Sequence, residues 1–338
     1  MQAMAGHWIF DHAKARQAYA GMPVLVLGAD GFMGRNCTRV LAQMGADVTA
    51  LVRDDAGDQT VTGVHRVKGE LQDEKLLPDL VAGQGIIFDF IGASGAARSN
   101  REPVKNLLGE CLPQLSLLQA LKRKGLQPTI IFCSSRLVYG QPCYLPVDEA
   151  HPLQPLSMYA VHKLTVEHYL EIYRRQAGIH YCSFRLSNPY GPFQPRQTST
   201  YGIINLFIRQ AVEGQSIRIY GDGRQRRDYI HVDDVIGVFL LSAIDENCRD
   251  RVFNLGGREA ISLRDAAALI AQLAGAPEIQ HVPWPAEEKS IESGDYLSSM
   301  VCLEQALELP DFLSFADGIS KVLASYRRAG EDGIAGQG

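Results

Sequence analysis

The 338-residue chain is 46% hydrophobic and 21% charged, with a formal net charge of -5, which suits one large domain or two smaller ones around a real core. Mild acidity gives no bulk attraction to nucleic acid or to an acidic membrane, although local basic clusters can still hold phosphate groups, so anionic small molecules remain open as ligands. The seven cysteines, at 37, 111, 133, 143, 182, 248 and 302, are odd in number and never spaced CxxC, so neither a disulfide framework nor a metal site is expected and a reducing cytoplasm fits.

Residues 1–22 read as an N-terminal extension. Its only apolar cluster is "WIF", far short of a signal-peptide core, and a short amphipathic helix beside the rest of the fold is the plain expectation. No stretch reaches the roughly 18 apolar residues that a membrane helix needs. From residue 23 apolar strands alternate with helical segments. "PVLVLG" (23–28) reads as a buried strand, "FMGRNCTRVLAQMG" as a helix ending at Gly45, and "DVTALV" (47–52) as a second strand. This βαβ unit predicts a parallel sheet with right-handed crossovers. Further strands are expected at "GIIFDFIG" (85–92), "TIIF" (129–132) and "HYCSFRL" (180–186), with helices over 103–124 and 157–177. The expected fold class is α/β, a doubly wound parallel sheet over 23–186. After Arg185 the texture changes to "NPYGPFQPRQTSTYG" and shorter elements, which reads as a smaller α/β unit over 187–328 that exchanges segments with the first. A disordered tail is expected over 329–338.

"GADGFMG" sets Gly28, Gly31 and Gly34 between a strand and a helix. There they permit a tight turn, close approach of a pyrophosphate to the backbone and close helix-on-strand packing, with the anion at the helix N-terminus. The second strand ends at Arg53 rather than at an acid. An arginine there can meet a 2′-phosphate, which leans toward NADP, while Asp54 reaching a ribose would suit NAD.

In "YAVHK", Tyr159 and Lys163 lie four apart at the start of a predicted helix and so share a face. A nearby ammonium favours the phenolate, which lets Tyr159 exchange a proton with a substrate hydroxyl. Ser135, in "CSSRLVYG" (133–140), ends a predicted sheet strand, where open α/β folds bind ligands, and its hydroxyl can hydrogen-bond the reacting oxygen.

With these motifs, and with "RLSNPYGP", "GDGRQRRDYIHVDDV" and "FNLGG" in order behind them, the chain from about Pro23 to about residue 325 resembles the extended short-chain dehydrogenase/reductase family, in particular its nucleotide-sugar epimerases, dehydratases and reductases. The resemblance implies a Rossmann domain holding NAD or NADP and a smaller domain holding a nucleotide diphosphate sugar. It implies catalytic roles for Ser135, Tyr159 and Lys163, the lysine also holding the nicotinamide ribose. On the cofactor side it adds Phe32 and Met33 beside the three glycines, Arg53, Glu70 and Leu71 in "GEL", and Gly92. On the substrate side it implies Ser94, Asn188 and Arg227, the last two near the diphosphate, where guanidinium forms charge-assisted bonds. A homodimer through the helices near 104–124 and 157–177 is likewise implied.

Three departures stand out. The family's "RxGD" arginine is replaced in "ESGD" (292–295), the helix that supplies an active-site asparagine offers Glu110, and the dehydratases' Asp-Glu pair after the catalytic hydroxyl reads Arg136 and Leu137. Leucine exchanges no proton and arginine stays protonated, which disfavours 4,6-dehydration. The leading expectation is an NDP-sugar 4-epimerase, in which Tyr159 takes the C4 hydroxyl proton during a transient oxidation. The alternative is an NAD(P)H-dependent 4-ketoreductase sharing every motif. A catalytically silent NAD(P)-binding regulator is the reading from another class.

Overall fold

The computed structural model describes residues 8–53, 61–92, 95–192, 202–275 and 278–335. In chain order the strands are β1 (Pro23–Leu27), β2 (Asp47–Val52), β3 (Val64–Lys68), β4 (Ile86–Asp89), β5 (Thr129–Ser135), β6 (His180–Leu186), β7 (Asn188–Tyr190), β8 (Ile217–Tyr220), β9 (Arg226–His231), β10 (Arg251–Leu255), β11 (Ala260–Ser262) and β12 (Ile279–Val282). Seven of them make one parallel sheet in the order β10-β6-β5-β4-β1-β2-β3. This is the doubly wound Rossmann arrangement.

The apolar runs explain the layering. In β1, Val24 and Val26 join one core with Val40 and Phe239, whereas Leu25 and Leu27 join another with Leu117, Leu121, Val166 and Leu170. A strand covered by helices on both faces has no reason to alternate polar with apolar, hence the unbroken "VLVL". Helices Phe32–Gln43 and Val232–Ala243 cover the first face, and helices Pro103–Lys124 and Met158–Ala177 the second. Both of the last two end on a left-handed glycine, Gly125 and Gly178, as glycine caps favour. The strand order reverses between β4 and β1, which opens a crevice at the carboxyl ends of these strands.

Beyond β6 the chain builds a three-stranded sheet (β11-β9-β7) and a two-stranded one (β12-β8). Around them lies a separate core that includes Phe207, Ile219, Ile270, Phe315 and Ile319. The stretch between these pieces returns to the large sheet: helix Val232–Ala243 packs on it and β10 pairs with β6 at its edge. The N-terminal helix Ala13–Tyr19 lies against that returning helix, with the Tyr19 hydroxyl donating to Leu240 O at 2.8 Å and Trp8 Nε1 donating to Asp234 Oδ1 at 2.9 Å. At the other end the structure corrects an expectation. Helix Phe315–Ala335 runs past residue 329, where a disordered tail was expected. Its apolar period, with Ile319, Val322 and Leu323 buried, carries it onward, and Gly330 and Gly333 each oppose it by only about 1 kcal/mol.

Candidate active site

At the carboxyl end of β1 the glycine loop has the shape a pyrophosphate needs. Gly28 has φ 70°, and a Cβ there would sit 3.0 Å from Phe90 O; a Cβ on Gly34 would sit 2.7 Å from Ala29 Cα. Only glycine fits either position. Gly31 caps helix Phe32–Gln43, whose first turn begins with the buried Phe32 and Met33, so the backbone N–H groups of that turn and the positive helix end face the crevice. Arg53 is exposed at the end of β2, and its backbone N–H donates to Asp30 Oδ2 at 3.0 Å. Asp30 also pairs with Arg66 at 3.1 Å. Leu71 is buried and Glu70 exposed after β3. Asp54 and Ser94 lie outside the described residues.

The chemistry-bearing side chains meet where β4, β5 and helix Met158–Ala177 converge. Ser135 ends β5, and its Oγ accepts from Leu137 N at 3.2 Å. Tyr159 stands in the first turn of its helix, which Ser157 caps and to which helix Ala96–Arg101 adds two further bonds: Ser99 Oγ accepts from Tyr159 N at 2.9 Å and Asn100 Oδ1 from Met158 N at 2.9 Å. The Ser135 hydroxyl stands near enough to the Tyr159 phenol to favour its charged form. One turn on, Lys163 Nζ lies 5.7 Å from the Tyr159 ring centroid and donates to Ile91 O at 3.0 Å. It also pairs with Glu110 at 3.4 Å, both side chains being buried.

Electrostatics at this point differ from the simple tyrosine-lysine picture. Burial first, then the Glu110 carboxylate, push the Tyr159 phenol well above its ordinary value, with the Ser135 hydroxyl opposing them. The ammonium that was expected to lower the phenol is engaged by Glu110 instead. Asp89, at the end of β4, is pushed up to about 6 by burial, while Lys163 pulls it back. A Cβ on Gly92 would lie 3.0 Å from both Glu110 oxygens and from Lys163 Nζ, so the Gly92 backbone borders the pair directly. Asn106, one turn before Glu110 on the same helix, spends its Oδ1 on His162 Nδ1 at 2.7 Å.

The model of the NAD dependent epimerase/dehydratase family matches residues 24–256. The chain belongs to that family. The UDP-glucose 4-epimerase of Mycolicibacterium smegmatis is 27% identical over 319 residues, covering 90% of this chain and 99% of that one. The dTDP-glucose 4,6-dehydratase of Streptomyces niveus is 26% identical over 322 residues, covering 90% and 93%. Among solved structures, the UDP-glucose 4-epimerase of Thermus thermophilus in complex with NAD superposes with a TM-score of 0.81 at 26% identity, covering 91% of this chain and all of that one. Another at 26% identity is MoeE5 in complex with UDP-glucuronic acid and NAD, with a TM-score of 0.80 and coverage of 91% and 99%.

As an NAD-dependent enzyme of this family, the protein fits its cofactor: the glycine cradle at the N-terminus of helix Phe32–Gln43 would hold the pyrophosphate. Two residues expected on the substrate side, Asn188 and Arg227, lie in the three-stranded sheet. Asn188 opens β7 and its Nδ2 donates to Ser187 Oγ at 2.9 Å. Arg227, in β9, is closed in an ion pair with Glu292, and its Nη1 donates to Arg226 O at 3.2 Å. The sequence reading had no role for Asp30, Arg66 or Asp89. The acid ending the apolar run "IIFD" was the visible signal for Asp89, since a buried carboxylate needs partners. Among the described residues no helix is long and apolar enough to cross a membrane, and no group of acid, histidine and cysteine side chains is arranged to hold a metal.

Proposed function

We propose that the chain is a nucleotide-diphosphate-sugar 4-epimerase. The convergence of Ser135, Tyr159 and Lys163 at the crevice carries this reading, together with the identity of the next two residues. Arg136 and Leu137 stand where elimination would need proton-exchanging acids, and neither supplies one. Bound NAD supplies the reversible oxidant at C4. Tyr159 takes the C4 hydroxyl proton and later returns it, Ser135 holds the reacting oxygen, and Lys163, anchored by Ile91 O and Glu110, holds the ribose. The nucleotide-binding relatives support a UDP-type sugar nucleotide.

Incubation of the purified protein with UDP-, dTDP-, GDP- and CDP-sugars, with and without NAD(P)H, tests the reading. Isomer formation with no net change in nicotinamide absorbance is expected. Stoichiometric loss of NADPH would instead establish the second reading, a 4-ketoreductase. That alternative draws on Arg53 and on a pocket lined by Arg35, Arg39, Arg66 and the Asp30 that pairs with Arg66, where the arginines outnumber the acid and suit a 2′-phosphate. A homodimer belongs to the same proposal: Val104, Leu107, Leu108 and Leu112 lie on one face of helix Pro103–Lys124 and are 42–68% exposed, an apolar stripe that association would cover.

A further inference from the structure

Among the described residues the other buried arginines are paired. Arg185 is closed on Glu167 at 2.8 Å, and Arg227 on Glu292. Arg136 is different. It is 8% exposed, its Nη1 donates to Ser293 Oγ at 3.1 Å and its guanidinium lies 4.8 Å over the Tyr296 ring, yet among the described residues no carboxylate comes within ion-pair distance of it. Burial and the neighbouring Arg227 push it down to about 10, outweighing the pull of Tyr296, Asp228 and Glu292. A cation withdrawn from water with no carboxylate in direct contact keeps its fork free to receive an anion.

We infer that Arg136 is the residue that seats an anionic oxygen group of the bound nucleotide sugar, a role that position 292 cannot fill. The inference rests on the nucleotide-sugar reading above. Position places the guanidinium beside the crevice: Arg136 directly follows Ser135, so its Cα is about 3.8 Å from that of the residue holding the reacting oxygen, and its side chain reaches Ser293 and Tyr296, the segment whose Tyr296 N donates to Arg226 O of β9 at 2.9 Å. Glu292 spends its carboxylate on Arg227 and on Gly294 N at 2.9 Å. Arg227 is thereby neutralised by direct contact, whereas Arg136 feels Asp228 and Glu292 only at longer range and, among the described residues, has no carboxylate in contact. Two chemically equivalent oxygen groups suit its planar fork, a phosphoryl of the diphosphate or a carboxylate carried by the sugar.

Calorimetric titration of the full chain and of Arg136→Gln with UDP, dTDP, GDP and CDP, then with the glucose and glucuronate esters of the tightest binder, decides the matter. The variant is expected to bind about tenfold more weakly or worse, the scale of a lost charge-assisted bond. A loss shared by the bare diphosphate and both esters assigns Arg136 to the diphosphate; a loss confined to the glucuronate ester assigns it to a sugar carboxylate. Equal affinity of variant and parent for every ligand overturns the inference and leaves the nucleotide-sugar reading standing. Failure of the parent chain to bind any of them overturns both. Thermal unfolding of Arg136→Gln beside the parent is the folding control, and a loss of affinity counts only in a variant of parental stability.

Discussion

Glu110→Gln tests the electrostatic design of the site most directly. The carboxylate lies 3.4 Å from Lys163 Nζ and, after burial, is the largest influence holding the Tyr159 phenol high. Glutamine keeps the shape and an acceptor oxygen for the ammonium but removes the negative charge. Lys163 Nζ lies 5.7 Å from the Tyr159 ring centroid; with an effective dielectric constant of about 20, an uncovered unit charge at that distance stabilises the phenolate by roughly 2.9 kcal/mol, or about two pH units. The sign is fixed: less negative charge beside the phenol lowers its pKa, so the base form persists to lower pH. The acidic limb of the kcat–pH profile should therefore move down by about one to two units. Ultraviolet titration of the phenolate, compared with the parent and with Tyr159→Phe as the blank, gives an independent reading. An acidic limb that stays in place in a variant of normal thermal stability would refute the reasoning. A uniform fall in kcat with no shift would mean that Glu110 only positions Lys163.

Tyr159→Phe should lower turnover by about two to four orders of magnitude, the usual span for a lost acid-base group, while NAD binding measured by fluorescence quenching stays near the parent value. Gly34→Ala places a methyl 2.7 Å from Ala29 Cα; overpacking of about 1–3 kcal/mol should appear in denaturant unfolding, and NAD affinity should fall with it. Glu167→Gln breaks the buried pair with Arg185, in which three guanidinium bonds of 2.8–3.2 Å meet one carboxylate, and should cost about 3–5 kcal/mol in the same assay. Leu108→Glu puts a charge on the apolar stripe of helix Pro103–Lys124 and should halve the mass seen by light scattering.

How much was legible follows from the range of each interaction. The placement of "GADGFMG" and of the pair Tyr159 and Lys163 was readable because their spacing is local: a turn between strand and helix, and one turn of one helix. The apolar runs of β1, β4 and β5 announced burial on both faces and so a parallel sheet, and helix Pro103–Lys124 has the limits its periodicity suggested. The long final helix was missed because the composition of "GEDGIAGQG" argued for a tail, whereas packing of its earlier turns against Phe207 and Ile270 decided otherwise.

What the amino-acid order settled by itself is the fold class and the chemical repertoire, because strand burial, helix period and a phosphate loop are properties of neighbouring residues. What only the tertiary structure decided is the charge state of the site. Glu110 meets Lys163 across two helices, Arg227 finds Glu292 across 65 positions and Arg136 finds Ser293 across 157. Pairing of buried charges depends on distances of a few ångströms between segments that no local pattern relates, and it is this pairing that leaves Tyr159 protonated and Arg136 in want of an anion.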